Sequence, residues 1–333
     1  MVLPPAQLIH RPPLECVLSR PAHDTRKGSP VSTEQQHQDQ VGRTPDRADG
    51  SPWRRFWNRG GWWKALLVAA VYYGLYQLAG ILIDLAFGGL VDKHDFFADG
   101  ISTFIALGAP ILVGGVLLVV FAVSLGWLKQ LFGRQPIRGS WWMWIGVGIV
   151  VVFNLLRFLS ADYAAWDAGA VVAVLVSGLF IGFAEEVLTR GFAVNLLRRA
   201  GYGERSVMLL SSLIFAALHS GNVLTGQSLL AVAFTVVYTF AFGLVMYAAL
   251  RVTGNLIWPI LLHASTDPSL FLLTGGVDTS SSAMHPGPLA GVAGLANFAI
   301  MIFALVPLIF VRGRVDRDAA YGLKPPTQQL RVG

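Results

Sequence analysis

Six side chains able to do acid, base or ligand chemistry sit inside long apolar runs of this chain. They are Glu185, Glu186 and Arg190 in one run, His219 in a second, and His263 with Asp267 in a third. Ionisable groups at membrane depth cost several kcal/mol unless they are paired, hydrated or used. Glu186 and Arg190 are four residues apart and share a helix face, the spacing of an intrahelical ion pair. Glu185 is rotated by about 100° from Glu186. One carboxylate is thereby braced, and the other is free to serve as a general base. His263 and Asp267 are again four apart, so the carboxylate can orient the ring or hold water. One glutamate and two histidines, here Glu185, His219 and His263, are a set that holds a catalytic zinc with an open position, or that activates water and stabilises an oxyanion with no metal. Either way the natural reaction is hydrolysis with water as nucleophile. The helical zinc-hydrolase pattern HExxH is absent, and no organic cofactor is expected.

Counting along a helix at about 1.5 Å per residue gives a depth for each group. Glu185 precedes Arg198 by 13 residues, His219 follows Arg205 by 14, and His263 follows Arg251 by 12. All three come out roughly 18–21 Å from the same boundary. Independent structural polar residues have no reason to share a depth, so a single buried site is expected. Gly178 and Gly182 form a GxxxG one turn ahead of the glutamates, and Ser212 and Ala216 lie on the His219 side of their helix; small residues of this kind let helices approach closely. Pro268 disfavours helical geometry at Asp267, where the helix is expected to loosen. Arg157, near the end of its run, is expected to snorkel to the membrane surface.

The elements that position these residues follow from the apolar runs. At 54% hydrophobic and 13% charged over 333 residues, the composition excludes an ordinary soluble domain and fits an all-α, polytopic integral membrane protein. Eight spans are expected, at about 65–90, 101–127, 141–160, 168–190, 206–220, 228–250, 255–274 and 289–311. The fifth is short enough to be a re-entrant helix. Lys and Arg alternate between loops: they precede the first span, fill 128–139 and 190–205, and follow the last span, while 91–100, 161–167, 221–227 and 275–288 hold one Lys between them. That pattern predicts a multi-pass cell-membrane protein with both termini in the cytoplasm. The cations form no stripe with interleaved aromatics, so the net charge of +6 reads as topology and no nucleic-acid partner is expected. Cys16 is the single cysteine, which excludes an internal disulfide and a thiolate zinc site.

Residues 1–51 are polar and predicted to be disordered, with no signal peptide ahead of the first span. Residues 52–64 mix Trp with Arg and Lys as an interfacial anchor does. Helices over 65–160 lead to a catalytic core over 168–275, a last span at 289–311, and a cytoplasmic tail at 312–333. Trp127, Trp141, Trp142, Trp144, Trp166 and Trp258 fall near span ends, where aromatic belts form.

Glu185-Glu186-x-x-x-Arg190, Phe215-x-x-x-His219 and His263-x-x-x-Asp267 together resemble the three motifs of the CPBP family, the CAAX proteases and bacteriocin-processing enzymes also called the Abi family. The likeness covers about residues 168–275 and includes the run Thr253 to Pro259. It implies an intramembrane endopeptidase in which Glu185 activates the attacking water and His219 shares that water or a metal. Glu186 and Arg190 would brace the first motif, while His263 and Asp267 would bind the oxyanion or complete the site. Asp267 stands where the family often has Asn, which weakens an oxyanion-donor role unless the carboxyl is protonated. The resemblance leaves zinc and metal-free glutamate mechanisms both open. It implies a peptide or protein substrate at the lipid bilayer, prenylated or not. Two other classes fit the same residues: a proton-coupled transporter using Glu185 and the histidines as a relay, against which stands the missing internal repeat, and a non-catalytic membrane scaffold or immunity protein.

Overall fold

The structure is a computed structural model that describes residues 51–275 and 287–322. The polar tail expected over 1–51 lies, but for Ser51, outside the described residues, as do most of the 275–288 loop and, from 323, the end of the tail expected to be cytoplasmic. Among the described residues every regular element is helical. Helix α1 (Pro52–Asn58) is followed by α2 (Trp62–Phe87), α3 (Gly100–Leu125), the short α4 (Leu128–Leu131) and α5 (Met143–Ser160). Then come α6 (Ala168–Arg199), α7 (Glu204–His219), α8 (Leu229–Thr253), α9 (Ile257–Thr274), α10 (Ala290–Phe310) and α11 (Arg317–Tyr321).

Among the described residues seven helices are long and apolar enough to cross a membrane: α2, α3, α5, α6, α7 with its 3-10 extension, α8 and α10. The eighth expected span forms α9, an 18-residue helix about 27 Å long. It falls outside the apolar set because His263, Ser265, Thr266, Asp267 and Ser269 interrupt it. Large apolar side chains such as Leu85, Leu159, Leu230 and Ile302 point outward, as a lipid-facing surface requires. Polar residues turn inward. Asn154 of α5 donates to Ser265 Oγ and Thr266 Oγ1, both at 2.9 Å, tying α5 to α9.

Three expectations need correction. The segment 190–205 is largely helix: α6 continues through a π-helical stretch, Val187–Ala193, to Arg199, and only residues 200–203 connect it to α7. Arg190, Arg198 and Arg199 are therefore buried inside the protein instead of lying in a solvated loop, and Arg190 and Arg198 each have a carboxylate partner that makes burial tolerable. Arg198 makes a two-pronged pair with Glu204 at 2.8 and 2.7 Å, and the same carboxylate receives Arg251 at 3.1 Å and the Tyr247 hydroxyl. This cluster pins the ends of α6, α7 and α8 together. Arg157 does not snorkel; it is 2% exposed and donates through Nη2 to Asn297 Oδ1 of α10 at 3.0 Å. Finally, α9 passes through Pro268 as helix. The ring has room because it lies against Gly178, where a Cβ would stand 2.1 Å from Pro268 Cγ.

Helix α6 is central, and its most extensive partner is α9. The two backbones meet at the GxxxG: a Cβ on Gly182 would lie 2.6 Å from the Ala264 nitrogen and 2.7 Å from the Ile260 oxygen. Only hydrogen fits there. Overpacking typically costs ~1–3 kcal/mol, so Gly182→Ala should lower the melting temperature measured in detergent. Gly74→Ala on α2, where a Cβ meets nothing within 4 Å, should leave it unchanged.

Candidate active site

Glu185 and Glu186 occupy the last turn of α-helical geometry in α6, and Arg190 lies within the π-helical stretch that follows. Glu186 and Arg190 are fully enclosed and paired, Arg190 Nη1 lying 3.1 Å from Glu186 Oε1. Arg190 Nη1 also donates to Thr189 Oγ1 at 2.6 Å, and that hydroxyl donates to the Glu185 carbonyl at 2.6 Å. The guanidinium carbon rests 4.5 Å from the centre of the Phe215 ring, whose π face accepts the charge. Gly243 of α8 provides the space: a Cβ there would stand 3.1 Å from Arg190 Nη2.

Helix α9 brings His263 against this pair. His263 is 3% exposed, and its Nδ1 lies 2.9 Å from Glu186 Oε1, the same oxygen that receives Arg190. An ionised carboxylate only accepts, so Nδ1 carries the hydrogen. The other ring nitrogen, Nε2, stands 3.6 Å from Glu185 Oε2 and 3.6 Å from Asp267 Oδ2. Orientation of the ring, which the i,i+4 spacing offers to Asp267, is supplied here across helices by Glu186. Phe215 and Phe242 hold the imidazole edge-on, with centroids 5.7 and 5.0 Å away.

His219 ends α7. Its Nδ1 lies 3.0 Å from the Phe215 carbonyl, which can only accept, so Nδ1 bears the proton and Nε2 is the basic nitrogen. Glu185, His219 and Asp267 line one cavity of about 290 Å³, with Tyr72, Tyr76 and Gln77 of α2 on the facing wall. All six residues singled out in the sequence thus meet at one place. Glu185 and Asp267 are open to the cavity, with side chains 20% and 27% exposed, while Glu186 and Arg190 lie behind it.

Among the described residues no three His, Cys, Asp or Glu side chains gather as a metal-binding group. Of the expected zinc set, His263 Nδ1 is taken by Glu186 and its Nε2 stands 3.6 Å from Glu185, while His219 lines the same cavity as Glu185.

Thr189 and the tyrosines of α2 carry no signal in the sequence beyond ordinary helix-forming and apolar character. Phe215 has a faint one, four residues before His219, but its contact with Arg190 appears only when α6 and α7 pack.

No curated protein matches the chain. Residues 167–268, which run from the cap of α6 to just past Asp267, match the family model for type II CAAX prenyl endopeptidase Rce1-like. The matched segment carries all six of these residues, a likeness consistent with a CPBP-family intramembrane protease.

Proposed function

We propose that the protein hydrolyses a peptide bond of a membrane-borne substrate with a water activated by Glu185. The observation that carries this reading is the juxtaposition of a cavity-facing carboxylate with an imidazole already oriented from behind. Glu185 opens onto the cavity, and His263 Nε2, fixed through its Nδ1 by Glu186, stands 3.6 Å from it. In this scheme Glu185 takes the proton of a water lying between it and His219, whose Nε2 holds the second hydrogen. The hydroxide attacks the peptide carbonyl. The protonated His263 Nε2 then faces the developing oxyanion, and Glu185 returns the proton to the leaving amine. Asp267 holds the His263 charge; Glu186 and Arg190 act as positioning residues. Both termini on the cytoplasmic side would place the cleavage among segments near that leaflet.

In proteoliposomes Glu185→Ala, His219→Ala and His263→Ala are each expected to reduce peptide cleavage by at least ~10²-fold, the usual contribution of an acid–base group, while the purified variants keep their melting temperatures. Full activity in Glu185→Ala would falsify the scheme. A carboxylate-activated water predicts that activity survives chelator treatment; loss on chelation with recovery on adding zinc would replace it by a metal-bound one.

A second cavity supports a lipid-modified substrate. An apolar groove of about 460 Å³ between α2 and α7 is lined by Leu66, Ala69, Ile214, Ala217 and Val223, and it shares Tyr73, Leu218 and Gly221 with the catalytic cavity. A lipid-modified peptide would lay its chain in the groove and its polar backbone at Glu185. Ala217→Trp, at a lipid-facing position, should fill the groove and lower kcat/KM for a prenylated peptide by roughly tenfold. The unprenylated peptide should be unaffected, and an unchanged ratio between the two would remove the groove from substrate recognition.

A further inference from the structure

A second polar cavity, of about 450 Å³, lies at the opposite end of α6 from the Asp167 cap, where α3, α6 and α11 end. Its lining contains Lys129, Arg134, Arg198 and Arg199 with Gln130, Gln135 and Asn195, and no acidic residue. Arg198 is neutralised by Glu204. The other three cations have no carboxylate partner among the described residues.

Arg199 is the built element of this cavity. It is 5% exposed, and its guanidinium is held between the rings of Trp127 and Tyr321 at 4.5 and 4.6 Å. Nη2 donates to Gln130 Oε1 at 2.6 Å, whereas Nε is buried with no hydrogen-bond partner among the described residues. Burial of a cation without a carboxylate is costly. The ring faces of Trp127 and Tyr321 offset part of that cost, but the Tyr321 hydroxyl supplies no negative charge, because burial pushes it up and keeps it neutral. The carbonyl end of α6 would repel an anion, but Arg317 Nη1 donates to the Arg199 carbonyl at 3.3 Å and covers it. Lys129 and Arg134 stand exposed at the mouth. The planar fork of Arg and the point charge of Lys are the two side chains that bind phosphate oxygens.

We propose that this cavity is a binding site for a phosphate-bearing anion, held by Arg199 from within and by Lys129 and Arg134 at the mouth. The cavity opens where the apolar spans end, the level of lipid headgroups, and basic pockets between membrane helices take anionic headgroups. Its position also gives the occupant a consequence. Arg198 and Arg199 close the same continuous helix that carries Glu185, so an anion seated here clamps the far end of the catalytic helix.

The test uses the full chain in nanodiscs of phosphatidylcholine with and without phosphatidylglycerol, and separately in detergent with and without inorganic phosphate. Retained lipid is read by native mass spectrometry, and melting temperature is read alongside. The Lys129→Gln/Arg134→Gln double variant changes only exposed residues and should melt as wild type in phosphatidylcholine alone; Arg199→Gln is the buried companion. Phosphatidylglycerol should raise the wild-type melting temperature, and its apparent affinity should be weaker by roughly tenfold or more in the double variant, as expected for two cations removed from a headgroup. A rise with inorganic phosphate in detergent that is lost in the variant, with no added effect of phosphatidylglycerol, supports the site with free phosphate as the source. Equal lipid retention and equal melting shifts in wild type and double variant overturn the proposal.

Discussion

A carboxylate withdrawn from water inside a membrane costs several kcal/mol unless its charge is met on the spot, and Glu186 is met through one oxygen by two helices at once. Its Oε1 receives Arg190 from the same helix at 3.1 Å and His263 from α9 at 2.9 Å. The remaining geometry depends on that shared oxygen. It sets which nitrogen of His263 carries the inner hydrogen, and so aims Nε2 toward the gap between Glu185 and Asp267. It also holds Arg190 over Phe215, the residue whose carbonyl fixes the His219 tautomer.

Two helices can share a carboxylate only if their backbones come close. Gly178 and Gly182 supply that approach, and the membrane makes it necessary, since between helices in lipid there is no hydrophobic drive and packing must do the work. The polar side chains of α9 are the counterpart. They keep it out of the set of strongly apolar spans, and they are tolerated because α5 and α6 enclose them: Asn154 satisfies Ser265 and Thr266, and Glu186 satisfies His263. Chemistry and packing thus occupy the same face of α9.

Hydrolysis within a bilayer needs water on one side of the nucleophile and an apolar path for the substrate on the other. In the proposed reaction the two cavities that meet at Tyr73, Leu218 and Gly221 would divide these tasks, one carrying Glu185, His219, Asp267, Gln77 and Asn222 among apolar side chains, the other mostly aliphatic. Helix α2, which contributes only Tyr and Gln side chains to the polar side, forms a wall of both.

The amino-acid sequence by itself determined the all-α membrane architecture, because runs of about 20 apolar residues admit no other structure in lipid. It also singled out the six polar residues that the fold brings together, since an intramembrane charge is conspicuous against an apolar background. The pairing of Glu186 with Arg190 was legible too, being local to one helix turn. What only the tertiary structure decided are the relations between helices: that Glu186 rather than Asp267 takes His263 Nδ1, that Arg157 turns inward to Asn297, and that Arg198 and Arg199 extend the catalytic helix instead of lining a loop. The reason is physical. Helical spacing reports which face a residue occupies, but the cost of burying a charge is settled by whichever partner another helix delivers, and a sequence read one helix at a time contains no record of that meeting.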